Sequence, residues 1–196
     1  MGVEVLKIAE PFNFSRLNNL ALERSKVSDE FDSVLFMNND VELESGALLE
    51  MARWIDQPKV GCVGARLHYP NGTIQHAGVL LQQRTPYDEL IWIHVDGGQH
   101  PDRMALGALS RVCDAVTGAC LLIKKSIFRE VGGFDAVNYP IAYSDTDLCS
   151  RLRQKGLFSF YTPYATGVHH ESLSRKFNSI EDYEQSRWLA QSLGRM

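Results

Sequence analysis

The sequence predicts an α/β fold built on a mixed, mostly parallel sheet flanked by helices, and three stretches carry that expectation. Val34-Leu35-Phe36-Met37 is an apolar run of strand length, as in a strand buried on both faces of a parallel sheet. It stops at Asn38-Asn39-Asp40, and unpaired polar groups at a buried strand end cost about 1–3 kcal/mol each, so these side chains need partners. The C-terminal end of such a strand opens onto a ligand crevice, and the triplet reads as a metal and phosphate site. Upstream, Val3–Ile8 alternates like a strand, and Phe14, Leu17, Leu20 and Ala21 recur at helical spacing between Asn13 and about Lys26. With Ser33–Met37 they form a strand–helix–strand unit, the crossover of a parallel sheet. The third stretch, Val60–Leu67, reads as another buried strand whose glycines imply close backbone approach. A doubly wound sheet rarely begins so near the first residue, so an upstream portion is expected to be missing.

The remaining elements follow in order. Ser45 is a plausible cap for a helix presenting Leu48, Leu49, Ala52 and Trp54 or Ile55, ending before Pro58. Pro70-Asn71-Gly72-Thr73 is a hairpin signal with a type I′ turn. From Gln82 to Leu109 the sequence loses its period and collects Tyr87, Trp92, His94, Asp96 and His100, an irregular segment expected to act as a lid or acceptor loop. Small residues at Ala115–Ala119 turn into an apolar strand ending near Lys124. A short helix from Ser126 to Val131 stops at Gly132-Gly133, and a second opens at Tyr143-Ser144-Asp145-Thr146-Asp147. Leu157–Tyr161 and Ala165–His170 read as two short strands, and Ile180–Leu193 as a last helix.

Residues 1–196 make one domain, long enough to bury a core without disulfides. A formal net charge of −4 and the lack of a basic run exclude a general nucleic-acid binder. Cys62, Cys113, Cys120 and Cys149 form no CxxC pair and read as buried reduced thiols, which favours a cytoplasmic, reducing compartment. The sequons at Asn13 and Asn71 read as accidental, since no signal segment precedes them. No apolar run is long enough to span a bilayer.

Several residues could carry chemistry. Asn38, Asn39 and Asp40 offer oxygen ligands to Mg2+ or Mn2+, which commonly take one or two protein carboxylates plus substrate phosphates; standing alone, the triplet is better read as an Asx turn. Ser144 and Asp147 approximate a capping box, which leaves Asp145 without a structural role and open to accept a proton from a hydroxyl. His169 and His170 point to opposite sides of an extended segment, so one of them at most faces a given site. Arg175 and Lys176 could grip a diphosphate or stand as a solvated charge pair.

In that order these pieces resemble the family 2 glycosyltransferases of GT-A fold. Pro11–Asn19 resembles the family's segment before its acidic motif, and Leu35–Asp40 is similar to the DxD variant of rhamnosyltransferase-like members. Tyr69–Gly78 looks like their hairpin. Val131–Asp135 and Asp145–Cys149 resemble the stretch holding the catalytic aspartate, and His169–Ser172 the terminal His motif. Two departures stand out: Asn38 takes the place of the first DxD carboxylate, and Ser144 stands where many members have Glu.

The resemblance implies the C-terminal portion of a GT-A catalytic domain, without the family's nucleotide-binding opening βαβ portion, and inactive by itself. It implies an inverting transfer from a nucleotide-sugar donor to a saccharide or lipid-linked acceptor, in polysaccharide or glycoconjugate synthesis. Asp145 would be the catalytic base; Asp40 with His169, or His170 in its place, would bind a divalent cation, Mg2+ or Mn2+. Asn38, Asn39 and Arg175 would contact the donor. The alternative is a non-catalytic sugar- or metal-binding module derived from such an enzyme. A lipid-linked acceptor would imply peripheral association with the inner face of a membrane.

Overall fold

The computed structural model describes residues 4–25, 30–84 and 89–170. Asn13 opens the first helix, α1 (Phe14–Arg24), by accepting the Arg16 N–H on its side chain, which satisfies one of the free donors of the first turn. Strands β1 (Ser33–Met37) and β2 (Val41–Leu43) flank the Asn38–Asp40 turn and lead to α2 (Ala47–Ile55) and the long strand β3 (Val60–His68). Then come β4 (Ile74–His76), a ribbon of β5 (Val79–Arg84) and β6 (Glu89–His94), and β7 (Arg111–Cys113) and β8 (Cys120–Lys124). Helices α3 (Lys125–Glu130) and α4 (Ser144–Gln154) precede β9 (Phe158–His169). The main sheet runs β1-β8-β3-β9-β2, with β4 added to β3 and β7 to β9, while β5 and β6 pair only with each other.

Alternation along the strands sorts their side chains into two cores. Cys62, Leu121, Ile123 and Tyr161 point to one face and pack with Phe128, Phe134, Leu148 and Leu152 from α3, α4 and the segment between them. Val63, Ala65, Leu67, Cys120, Leu122 and Phe160 point to the other, under Ala47, Met51 and Ile55 of α2. The result is a sheet between two helical layers, and the four cysteines lie in its two cores as buried free thiols. Burial pushes the Cys113 and Cys120 thiols up to about 12.

The sheet is mixed, with its parallel pairing carried by the two longest strands, β3 and β9; β1 runs antiparallel to β8. The crossover expected from Val3–Ile8 through α1 into β1 does not form, because residues 4–9 take no strand conformation and Val5 is exposed. Among the described strands β1 pairs on one side only. Its four apolar residues are therefore not buried on both faces: Phe36 is buried, while Met37 is 47% exposed.

Other expectations shift in detail. Helix α2 starts after Gly46, not on a Ser45 side-chain cap, and buries Ala47, Met51 and Ile55, leaving Leu48 and Leu49 51% and 61% exposed. The hairpin at Pro70–Thr73 is not type I′: proline fixes a negative φ at its first central position, and only Gly72 is left-handed, at φ 83°. Much of the Gln82–Leu109 segment is regular, because Glu89–His94 zips against Val79–Arg84; short 3-10 turns follow at Pro101–Arg103 and Leu106–Ala108. The two short strands expected after Leu157 are one strand, β9, with a register shift where Ala65 faces Thr162 and Arg66 faces Thr166. The expected last helix, Ile180–Leu193, lies outside the described residues.

Close approach at the β3 glycines is what the sequence implied. A Cβ on Gly64 would lie 2.5 Å from the Val116 Cβ, which cannot swing away. Gly64→Ala is expected to destabilise the domain by about 1–3 kcal/mol, as overpacking does, measured as a lower denaturant midpoint with an unchanged slope.

Candidate active site at the end of the sheet

At the end of β1 the Asn38 N–H donates to the Ala119 carbonyl (3.0 Å), and the Val41 N–H returns to the Asn38 carbonyl (3.2 Å), folding the triplet back into β2. Strand β2 pairs with β9 so that Val41 faces His169, and the His170 N–H donates to the Asp40 carbonyl (2.8 Å). That register brings the buried His169 ring onto Asp40, with Nε2 and Oδ1 3.1 Å apart. The Asn38 side-chain amide lies 3.4 Å from the same Nε2, and Gln75 on β4 places its Oε1 2.8 Å from Nδ1. With Gln75 Oε1 accepting from Nδ1, Nε2 faces Asn38 and Asp40 and, in a ring that carries a single proton, presents its lone pair to them.

A lone pair and a carboxylate oxygen at 3.1 Å repel each other unless a cation or a second proton lies with them. An imidazole nitrogen and a carboxylate are both ligands for hard divalent cations, so the residues fit Mg2+ or Mn2+. Among the described residues no group of three or more His, Cys, Asp or Glu is arranged to hold a metal. A cation here would have Asp40 and His169 as its ligands and leave its other positions to substrate oxygens and water, as Mg2+ commonly does.

Asp145 sits in the first turn of α4 and is linked to this end of the sheet through the Gly118–Ala119 turn. Its Oδ2 accepts the Gly118 N–H (2.8 Å) and its Oδ1 the Thr146 N–H (2.8 Å). Gly118 precedes Ala119, so Asp145 and Asn38 grip adjacent residues of the turn before β8. Helix α1 supports this end of the fold: Asn19 brackets the Phe134 backbone, accepting its N–H (3.0 Å) and donating to its carbonyl (2.8 Å). The expected capping box is not formed. Tyr143 is the N-cap, left-handed at φ 59°, with no side-chain capping bond, and Asp147 instead pairs with Arg151 at 2.6 Å. Burial pushes the Asp147 carboxyl up against the opposing pull of Arg151. Asp145, read as having no structural role, thus has one in holding the turn.

The other expected residues fall elsewhere. His170 turns away to pair with Glu42 (3.2 Å), so it is His169 that meets Asp40, while Asn39 is exposed in the turn. Arg175 lies outside the described residues. His100 pairs with Asp102 (3.2 Å) away from this cluster. Gln75, His76 and Gly118 were not singled out from the sequence. Their signal was Ile74-Gln75-His76, where strand alternation sends Gln75 and His76 to opposite faces.

His76 is fully buried, and burial first, then His94 and Arg111, hold its imidazole well below the usual histidine range. An unfolded histidine titrates near 6.5, so below that pH the unfolded chain binds a proton that the folded chain refuses. The stability contribution is therefore present above about pH 6.5 and lost as pH falls below it, by up to roughly 1.4 kcal/mol per pH unit. Denaturant unfolding at pH 7.0 and 5.5 should show this loss, and His76→Gln should shrink it.

Known proteins resemble the chain in sequence and in fold. No family model matches the chain. It is 39% identical to an uncharacterized protein of Sinorhizobium fredii, over 95% of this chain and 21% of that protein. It is 34% identical to an O-antigen biosynthesis protein of Myxococcus xanthus, over 92% of this chain and 14% of that protein. With an N-acetylglucosaminyl-diphospho-decaprenol L-rhamnosyltransferase of Mycobacterium tuberculosis it shares 30% identity, over 73% of this chain and 48% of that protein. The chain thus spans at most about half the length of these relatives. Among solved structures, GalNAc-T7 with UDP, GalNAc and Mn2+ superposes with a TM-score of 0.69 at 10% identity, covering 95% of this chain and 36% of that one. The Pyrobaculum calidifontis mannosyltransferase PcManGT with GDP-Man and Mn2+ gives 0.50 at 14%, covering 82% and 37%. At such identities these two show a shared fold. In sequence the chain is similar to an L-rhamnosyltransferase and an O-antigen biosynthesis protein, and its fold is that of the GT-A glycosyltransferases.

Proposed function

We propose that these residues hold the metal and the base of an inverting glycosyltransferase, which moves a sugar from a nucleotide-diphosphate donor to a hydroxyl of a saccharide or lipid-linked acceptor. The observation that carries this reading is the meeting of Asp40 and His169 at 3.1 Å, with Asp145 on the adjoining turn. A divalent cation held there would supply Lewis-acid stabilisation of the departing diphosphate. Asp145 takes the acceptor proton as that oxygen bonds to the anomeric carbon and the bond to the diphosphate breaks, a single displacement that inverts the carbon. Asn38 orients the His169 ring from the donor side.

Support comes from the names of the relatives: one acts on a diphospho-decaprenol and another belongs to O-antigen biosynthesis. The solved neighbours hold UDP or GDP-mannose with Mn2+. A cytoplasmic site at the inner face of a membrane suits such a donor and a lipid-linked acceptor. No described helix is long and apolar enough to cross a membrane. The test is transfer by the full-length protein from a panel of nucleotide sugars, with the product anomer read by NMR. Inverted configuration is expected. A retained configuration contradicts the mechanism, and metal-dependent nucleotide binding without transfer from any donor would mark a non-catalytic module.

A further inference from the structure

The turn that holds Asp145 is itself held from behind. Each N–H of residues 117–120 has its own acceptor: Thr117 donates to His76 Nε2 (3.3 Å), Gly118 to Asp145 (2.8 Å), Ala119 to the Thr117 hydroxyl (3.2 Å) and Cys120 to the Thr117 carbonyl (3.3 Å). His76 Nε2 also accepts the Gly78 N–H at 3.3 Å. Backbone amides only donate, so Nε2 carries the lone pair and the ring proton sits on Nδ1. That nitrogen lies 3.2 Å from Nδ1 of His94, the last residue of β6, which must then be the acceptor. His94 is exposed while His76 has no exposed surface, and the His76 ring stands edge-on to Tyr161, over which Arg111 lies 5.0 Å from the ring centroid.

Every polar atom of His76 is therefore committed, and to three different segments: the β4–β5 corner, the end of the β5–β6 ribbon and the Thr117 turn. Nothing in the chemistry of the Asp40–His169 pair asks for this. An apolar residue of the same size would fill the core equally well but would leave the Thr117 and Gly78 N–H groups facing it without an acceptor. The Thr117 peptide would then rotate, and the next N–H in the chain is the one that aims the Asp145 carboxylate.

We propose that His76 is a positioning residue for Asp145, fixing the Thr117–Gly118 turn in its Nδ1–H tautomer and tying that turn to the β5–β6 ribbon through His94. The proposal rests on the reading of Asp145 as the base. It adds that the ribbon and the base are mechanically connected through the His76–His94 contact.

The test compares His76→Leu with His76→Gln in the full-length protein, because a glutamine amide can accept from Thr117 and donate to His94. His76→Leu should lower kcat by roughly 10²-fold, the scale of a small misplacement of a catalytic group, with the donor KM unchanged; His76→Gln should restore most of it. In NMR, the Gly118 amide proton should follow the ionisation of Asp145 in the wild type and the Gln variant and cease to follow it in the Leu variant. Equal kcat in all three proteins, or a Gly118 amide still coupled to Asp145 in the Leu variant, overturns the proposal. Should His76→Leu not fold, the tautomer decides: long-range 1H–15N correlation on the wild type should show the proton on Nδ1, and a proton on Nε2 overturns it. The amide readout does not require Asp145 to be the base, so active Asp145→Asn protein would overturn that assignment separately.

Discussion

Asp145→Asn is expected to cut sugar transfer by about 10²–10⁴-fold, the range that a positioned general base contributes. The substitution is chosen for its geometry. Asparagine keeps an oxygen that can accept the Gly118 N–H now bonded at 2.8 Å, so the turn and helix α4 should stay in place while the proton acceptor is lost. The loss should fall on kcat with donor affinity unchanged, as for an interaction made only in the transition state. Turnover near the wild-type level would remove Asp145 from the chemistry and leave it as the tie that the structure already displays.

Asp40→Ala should do comparable damage by a different route. Lewis-acid stabilisation of a leaving phosphate is worth several kcal/mol, so removing the carboxylate that meets His169 should slow transfer on the order of 10²-fold or more. Unlike the base variant, it should also weaken donor binding and abolish activation by Mn2+. His170→Ala is the informative control: its ring pairs with Glu42 and should leave the metal dependence close to that of the wild type. Metal dependence that vanished in His170→Ala and survived in His169→Ala would exchange the two assignments.

The strand-end triplet was legible in the sequence because a polar cluster after Val34–Met37 is costly without partners, and the partners exist: Ala119 for the Asn38 backbone, His169 for the Asp40 side chain. Helix punctuation was legible as well, with Gly132 and Gly133 both left-handed after α3. Strand direction was not. Four apolar residues in a row fit a two-sided parallel strand, an edge strand or a buried helix segment equally, and only pairing with β8 decides among them. The β5–β6 ribbon was hidden because an apolar run at Leu90–Ile93 sits among histidines and turn residues, and its register comes from a cross-strand partner. The α2 face was legible in part: Ile55 is buried as expected and Trp54 packs on the core, but Leu48 and Leu49 look like core and are exposed, because the sheet covers the stripe of Ala47, Met51 and Ile55. Gln75 and His76 were hardest to see. Their importance lies in contacts with residues 94 and 41 positions away, and no local pattern encodes those.

A two-ligand cation site completed by substrate is tested most directly by titrating Mn2+ into the protein and reading bound metal by electron paramagnetic resonance, with and without a nucleoside diphosphate. Weak binding alone is predicted, strengthened by UDP, GDP or dTDP, lost in Asp40→Ala and preserved in Asp145→Asn. Mn2+ binding that is identical in the wild type and Asp40→Ala, and indifferent to every nucleotide, would contradict it.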